Sequence, residues 1–338
     1  MRLIKASVAL MMAGVYFFQP TFSLADPHTD FVNAQLDSVE NQFSSLKADG
    51  AQEEFNNPQP PASKDFAVVE PQPTPVAVAH VHSRVHTVEL GSEVFYYRYA
   101  EPSAAVKIDG PMGGYYGNYT YRPRTPGVLN NPVVNAYFLQ ARYADSRHLT
   151  YTGSGIQKDG HDSVMELRGL IGKDYFIGAD GRMTPYLGLG YRYLFDRGDG
   201  RITSTGALGY DRKSHYYYFP VGGNLSVATS KDWEMDFNLE YDFLLYGLQK
   251  SYFSDLTQFT GFNDPNIKSP QTSGYGLRGS VKFLKHGHLA DFYIEPFLRY
   301  WSINNSKIST FPLDGDSFTG LEPKNNTIEV GSRFGVEF

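Results

Sequence analysis

The sequence predicts an all-β chain: an up-and-down antiparallel transmembrane β-barrel of about ten strands, with eight as the alternative and an arm before the first strand. Three observations predict it. From Trp233 to Leu245, Glu234, Asp236, Asn238, Glu240 and Asp242 interleave with Met235, Phe237, Leu239, Tyr241 and Phe243. Successive side chains of an extended strand point to opposite faces, so this run offers one face to hydrocarbon and the other to water or counter-charges. Comparable runs of about 11 to 15 residues recur from Val88 onward, well beyond the roughly 5 to 6 residues usual in soluble sheets and long enough to cross a bilayer at a tilt. The composition agrees, with 25 Tyr, 24 Phe and 33 Gly: tyrosine suits membrane interfaces and glycine suits tightly curved strands.

The chain opens with Arg2 and Lys5, a short apolar stretch from Ala6 to Phe18, and small residues at Ser23 and Ala25. This order predicts a secretory signal peptide over residues 1–25, cut after Ala25. Residues 26–84 follow as an arm. Phe31, Leu36, Val39, Phe43 and Leu46 recur at helical spacing, then Pro58, Pro60, Pro61, Pro71, Pro73 and Pro75 mark an extended linker. A short helix in a solvated arm is the plainer reading, and a helix that docks on a periplasmic partner is the sharper one. No later run approaches the roughly 18 apolar residues of a transmembrane helix, so any span is made of strands.

The strands are expected near 88–101, 112–122, 133–144, 163–175, 183–195, 215–227, 233–246, 273–284, 289–303 and 326–338, so that residues 85–338 form the barrel. The first two are less regular than the rest, which is the reason for keeping eight open. Short links at Asp180-Gly181, Ala228–Asp232 and His286-Gly287 alternate with long polar ones at 145–162, 196–214, 247–272 and 304–325. Short turns at one rim and long loops at the other, with an even strand count, form the outer-membrane pattern and place both ends in the periplasm.

Zero cysteines exclude disulfides, a lipid anchor on cysteine and thiolate chemistry, and a formal charge of −6 with no basic run argues against nucleic acid as a partner. No cofactor is indicated. The partners implied are outer-membrane lipid and lipopolysaccharide. Residues Thr184–Tyr193, Gly209–Arg212, Tyr218–Gly222, Glu240–Asp242, Ser273–Gly276 and Glu295–Trp301 resemble stretches of the small, porin-like outer-membrane barrels of Gram-negative bacteria, many without an assigned activity. The resemblance spans about residues 88–338 and implies fold and membrane, with no catalytic motif. Terminal Phe338, on the apolar face with Ile328, Val330, Phe334 and Val336, looks like the signal such barrels present to their assembly machinery.

Directing the polar face of each strand inward collects acids Glu166, Glu234, Asp236, Glu240, Asp242, Asp291, Glu295, Glu329 and Glu337 with bases Arg122, Arg142, Arg168, Arg192, Arg278, Lys282, Arg299 and Arg333. Eight strands leave a lumen just wide enough for side chains, so ten lie near the filled limit. Near-balanced charge in so narrow a space predicts paired ions that plug it, whereas a selective pore favours rings of like charge. If His286-Gly287 is a two-residue turn, Lys282 faces Asp291 and Arg278 faces Glu295. A matching register between the seventh and eighth strands sets Asp236 opposite Lys282 and Glu240 opposite Arg278. The two registers together predict a belt of Glu240, Arg278, Glu295 and Arg333.

The expected function is a structural or surface-interaction role with at most narrow permeability. A small-solute or ion-conducting porin is the runner-up, and a rim hydrolase the third reading. Omptin proteases have ten strands and set an acidic pair opposite an Asp-x-His pair; here Asp159-Gly-His161 and Asp314-Gly-Asp316 come in reversed order, in Gly-rich loop tips where both residue types are ordinary. Ser214-His215 is the adjacent pair within the strand region that a lipid-modifying enzyme would need. Arg197-Gly-Asp199 spells an integrin-type tripeptide that a polar loop produces by chance. His80, His82 and His86 are spaced as a loose metal tract or, more simply, a polar linker.

Overall fold

A computed structural model describes residue 81 and residues 84–257, 266–313 and 316–338, with backbone alone at 312, 313 and 316. The expected signal peptide, nearly all of the arm, His80, His82 and Asp314 lie outside the described residues.

Fourteen strands follow in order: β1 His86–Glu101, β2 Val106–Tyr121, β3 Ala136–Thr152, β4 Ile156–Gly172, β5 Tyr175–Ile177, β6 Gly181–Arg197, β7 Arg212–Ser230, β8 Trp233–Ser251, β9 Ile267–Gln271, β10 Gly274–Lys285, β11 Asp291–Ile303, β12 Ser309–Leu313, β13 Asp316–Gly320 and β14 Asn325–Glu337. Ten are staves. The antiparallel order β1-β2-β3-β4-β6-β7-β8-β10-β11-β14 returns to β1, with β8 paired to β10 and β14 to β1. Closure leaves no free sheet edge among the staves, which is what allows strands to stand in lipid. Ten, not eight, is therefore the count, and β1 and β2 pair without interruption along their full length.

The wall alternates as the sequence requires. Leu187, Leu189, Val221, Leu225, Phe237, Leu277, Ile294, Leu298, Val330 and Phe334 all face outward and exposed, and Leu239 is 73% exposed. A contiguous apolar band of this extent is the surface of a barrel solvated by lipid, because a protein solvated by water rarely leaves so large a patch bare.

The base is the end where β1 begins and β14 finishes, and the rim is the opposite end. The rim differs from the expected loops in two places. β3 and β4 run on as a hairpin to Thr152 and from Ile156, so the expected 145–162 loop shrinks to three residues, and β1 meets β2 through a 3-10 turn at Pro102–Ala104. Asp and Gly in 145–162 continue a ladder here: Asp145 pairs with Ser163 and Ser146 with Asp162. The longer rim links carry structure of their own, since β9 extends the sheet beside β8 and β12 pairs with β13. Tyr210, Phe253, Leu256, Ile267 and Phe311 form a second apolar cluster there.

One expected register fails and another appears. Across β10 and β11, Arg278 faces Arg299 and Leu284 faces Tyr293, four residues from the expected pairing of Arg278 with Glu295. The turn spans residues 286–290, because the Asp291 carboxylate accepts the Gly287 N–H at 3.0 Å and binds His286 at 3.1 Å, closing a wider loop than two residues allow. Between β8 and β10, Glu240 faces Arg278 and Asp236 faces Lys282, as expected.

Candidate functional site

The alternation that sends leucines to lipid sends charge into the lumen, and there the side chains join into one connected layer. Glu329 accepts from Arg142 at 2.8 Å, Arg192 at 3.1 Å and Arg299 at 2.9 Å. Arg299 also reaches Glu93 at 2.9 Å; Glu93 takes Arg333 at 3.3 Å, and Arg333 holds Glu295 at 3.0 Å. In the other direction Arg142 lies 3.4 Å from Glu166, which accepts from Arg278 at 2.9 and 2.5 Å. Arg278 continues to Asp242 at 2.6 Å and Glu240 at 3.1 Å, and Arg168 donates to Glu240. Six carboxylates and six guanidiniums from eight staves thus cross the barrel. Burying such groups is costly singly, and each here is held by hydrogen-bonded partners of opposite sign.

The expected belt is corrected in one link. Glu240 meets Arg278 and Glu295 meets Arg333, but Arg278 turns to Glu166 and Asp242 instead of Glu295. The register shift is the cause: it moves Arg299 into the place opposite Arg278. The remaining expected residues lie nearer the base. Lys282 binds Glu89 at 3.2 Å, Asp236 at 3.3 Å and Glu337 at 3.0 Å. Asp291 binds Arg84 at 2.9 Å, while Glu234 stands 3.8 Å from Arg182 and 3.9 Å from His286. Among them lies a polar chamber of ≈ 160 Å³, lined by Glu89, Asn118, Glu234, Asp236, Lys282 and Glu337 with others.

Directly above the ion layer the lumen turns apolar. Phe95, Tyr97, Leu149, Val164, Leu194, Tyr216, Tyr218 and Trp301 pack into a hydrophobic core. The Trp301 and Tyr218 rings meet edge-on at 5.0 Å, and the guanidiniums of Arg192 and Arg278 lie 5.5 and 5.6 Å from the Trp301 ring centre. Cation–π contact thereby couples the ion layer to the aromatic one. Above the core, Arg212 binds Glu101 at 2.5 Å and also Glu322. Burial pushes the Glu322 carboxyl up to about 7 despite Arg212, and Glu101 pushes it the same way.

Sequence reasoning overlooked Glu93 and this aromatic filling. The parity of β1 held the signal: with Val88, Leu90, Val94 and Tyr96 outward, Glu89, Glu93, Phe95, Tyr97 and Tyr99 must face in. The strand reads as irregular because near the rim both its faces are apolar.

The side motifs find ordinary places. Asp159 is exposed, while His161 faces away from the lumen and binds Asp145 at 2.9 Å and Arg197 at 2.8 Å. Arg197 of the integrin-type tripeptide also stacks on Phe195 at 4.3 Å. Ser214 turns inward to Gln249 and His215 outward to Tyr191, so the adjacent pair is split across the wall. His86 lies on β1 and binds the Tyr119 hydroxyl at 2.8 Å. Among the described residues no cluster of three metal-ligating side chains occurs.

No protein-family model matches the chain, and no curated protein is similar to it in sequence. Solved structures similar to it include the outer membrane protease OmpT from Escherichia coli, at 11% identity over 75% of this chain and 96% of that one, with a TM-score of 0.48. The translocator domain of autotransporter NalP from Neisseria meningitidis is similar at 8% identity over 93% of this chain and 99% of that one, TM-score 0.38. Ail, the attachment invasion locus protein of Yersinia pestis, is similar at 11% identity over 75% and 100%, TM-score 0.24. The reading of this chain as a small outer-membrane-type β-barrel rests on its own strand pairing and apolar wall.

Proposed function

We propose that this chain is exported to a Gram-negative outer membrane and stands there as a sealed barrel, with a structural or surface-interaction role at its rim in place of solute passage. The observation that carries the reading is the stacking of two different fillings in one lumen: the ion layer from Glu93 to Asp242 and the aromatic core around Trp301 directly above it. A hydrated path would have to displace paired charges and then wet an apolar core, and each step opposes conduction. The ordered rim, with its own cluster around Tyr210 and Phe253, supplies a shaped surface for contact.

Purified barrel in planar bilayers tests the seal. It is expected to give no discrete conductance steps; regular steps that scale with salt would establish the small-solute pore instead. Orientation follows from the link lengths: the rim faces outside, while residues 26–84, if they lie in the periplasm, stay shielded. A tag at Gly206 should be labelled on intact cells and one at Gly50 should not. Equal labelling would overturn the topology.

A further inference from the structure

Three lysines form one transverse row on the outer wall. The register places Lys213 of β7 opposite Lys250 of β8, and Lys250 opposite Lys268 of β9. Adjacent strands stand ~4.8 Å apart, so the row covers about 10 Å. Their neighbours Ser214, Gln249, Ser251 and Ser269 are buried toward the interior, which turns all three lysines outward. Like charges directly opposite one another destabilise a sheet. Among the described residues none of the three has an ion-pair partner. Asp255 is the acid that feels Lys213, and its carboxylate is engaged by the Asp211 N–H at 3.0 Å.

The row is also fixed in depth and orientation. Tyr191, Tyr217 and Tyr246 face one another across β6, β7 and β8, with the Tyr191 and Tyr217 rings 5.1 Å apart. Such aromatic girdles sit at the boundary between hydrocarbon and headgroups. Lys213 lies four residues rimward of Tyr217, which at ~3.3 Å per residue and a tilt of ~35–45° is roughly 10 Å further out, the level of the headgroups. The Lys213 ammonium rests 4.7 Å from the Phe195 ring centre and 4.6 Å from that of Tyr252, so it is held at that level.

We propose that Lys213, Lys250 and Lys268 form a binding site for the phosphate groups of an outer-leaflet glycolipid. The site rests on the outer-membrane reading above, but binding in detergent is measured apart from conductance and topology, so either can fail alone. The probes are lipopolysaccharide, the same preparation enzymatically dephosphorylated, and inorganic phosphate, each mixed with the folded full-length barrel and scored by native mass spectrometry. Wild type should bind phosphorylated lipopolysaccharide at least about tenfold more tightly than the triple variant Lys213→Gln, Lys250→Gln, Lys268→Gln. The triple Lys→Arg variant should keep the binding, and the dephosphorylated lipid should bind wild type as weakly as the intact lipid binds the Gln variant. Equal binding by wild type and the Gln variant, indifference to dephosphorylation, or displacement by inorganic phosphate at equal concentration would each overturn the site. Heat-modifiable gel mobility reports folding; should the triple Gln variant misfold, Lys268→Gln alone, exposed on a short strand outside the barrel, must still weaken binding.

Discussion

The two halves of the lumen are built from the same ten staves and filled in opposite ways. Toward the base the interior is polar, with Lys282 bound by three carboxylates beside an ≈ 160 Å³ chamber. Toward the rim the same inward positions carry Trp301, Tyr216, Tyr97 and Leu194, packed as in a water-soluble core. The ion layer lies at the junction. What the difference teaches is that a narrow barrel has two independent ways to exclude water from its lumen: saturating buried charge with partners, and packing apolar side chains until no void remains. The rim filling is mainly apolar packing, closed above by Arg212 with Glu101 and Glu322, and the junction is mainly paired charge, so substitutions should separate them.

The largest effect is expected at the junction. Glu329→Ala leaves Arg142, Arg192 and Arg299 without the acceptor they share, and breaking a buried network of this kind should cost about 3–5 kcal/mol. Urea titration of the folded form in detergent, read by heat-modifiable gel mobility, measures it; a loss under about 1 kcal/mol would mean the layer is hydrated and weakly coupled.

Trp301→Ala probes the rim filling. Removing a fully buried indole should cost about 3–4 kcal/mol, yet the ion layer beneath remains intact, so planar-bilayer current should stay at baseline. If this single change opens conductance steps, the two fillings are not separate seals.

On the wall, Leu239→Arg is expected to cost roughly 2–4 kcal/mol, because it sets a charge toward lipid. Asn238→Arg, one residue away and lining the chamber, should cost less. Equal loss of assembled barrel from both would reverse the face assignment.

The smallest effect is a pH dependence at the rim. The Glu322 carboxyl is raised to about 7 in the folded chain, first by burial and then by Glu101, with Arg212 opposing. The folded state therefore holds this proton over a range where the unfolded chain has released it. Its stabilising contribution is complete below the ordinary carboxylate range and is lost as pH rises through about 7. Between pH 5 and 8 stability should fall on the order of 1 kcal/mol, and Glu322→Gln should flatten the slope. An unchanged slope would assign the proton elsewhere in the cluster.

How legible this barrel is from its sequence varies with position. From Trp233 to Leu245 one strict alternation fixes strand, inward face and lipid face together, and the observed exposure of Phe237 and Leu239 follows it. β1 is harder, because Tyr97 and Tyr99 serve an apolar interior while Tyr96 serves the outer wall; period-2 reasoning needs a polarity contrast, and none exists there. The β8–β10 register was readable from charge, with Asp236 and Glu240 matching Lys282 and Arg278 at one setting. The β10–β11 register was not, since it depends on how the Asp291 carboxylate closes the turn at Gly287.

By itself the sequence determined that the chain forms long amphipathic strands, that these span a membrane, and that charges such as Glu240, Arg278 and Lys282 face inward. Those are local properties, set by the alternation of side chains along an extended backbone. Only the tertiary structure decided which carboxylate holds which guanidinium, that Glu93 belongs to the layer, and that an aromatic core around Trp301 fills the lumen above it. Arg142 and Glu329 are 187 residues apart in sequence and 2.8 Å apart in the lumen, a meeting that depends on closure and stagger of all ten staves and that no local pattern encodes.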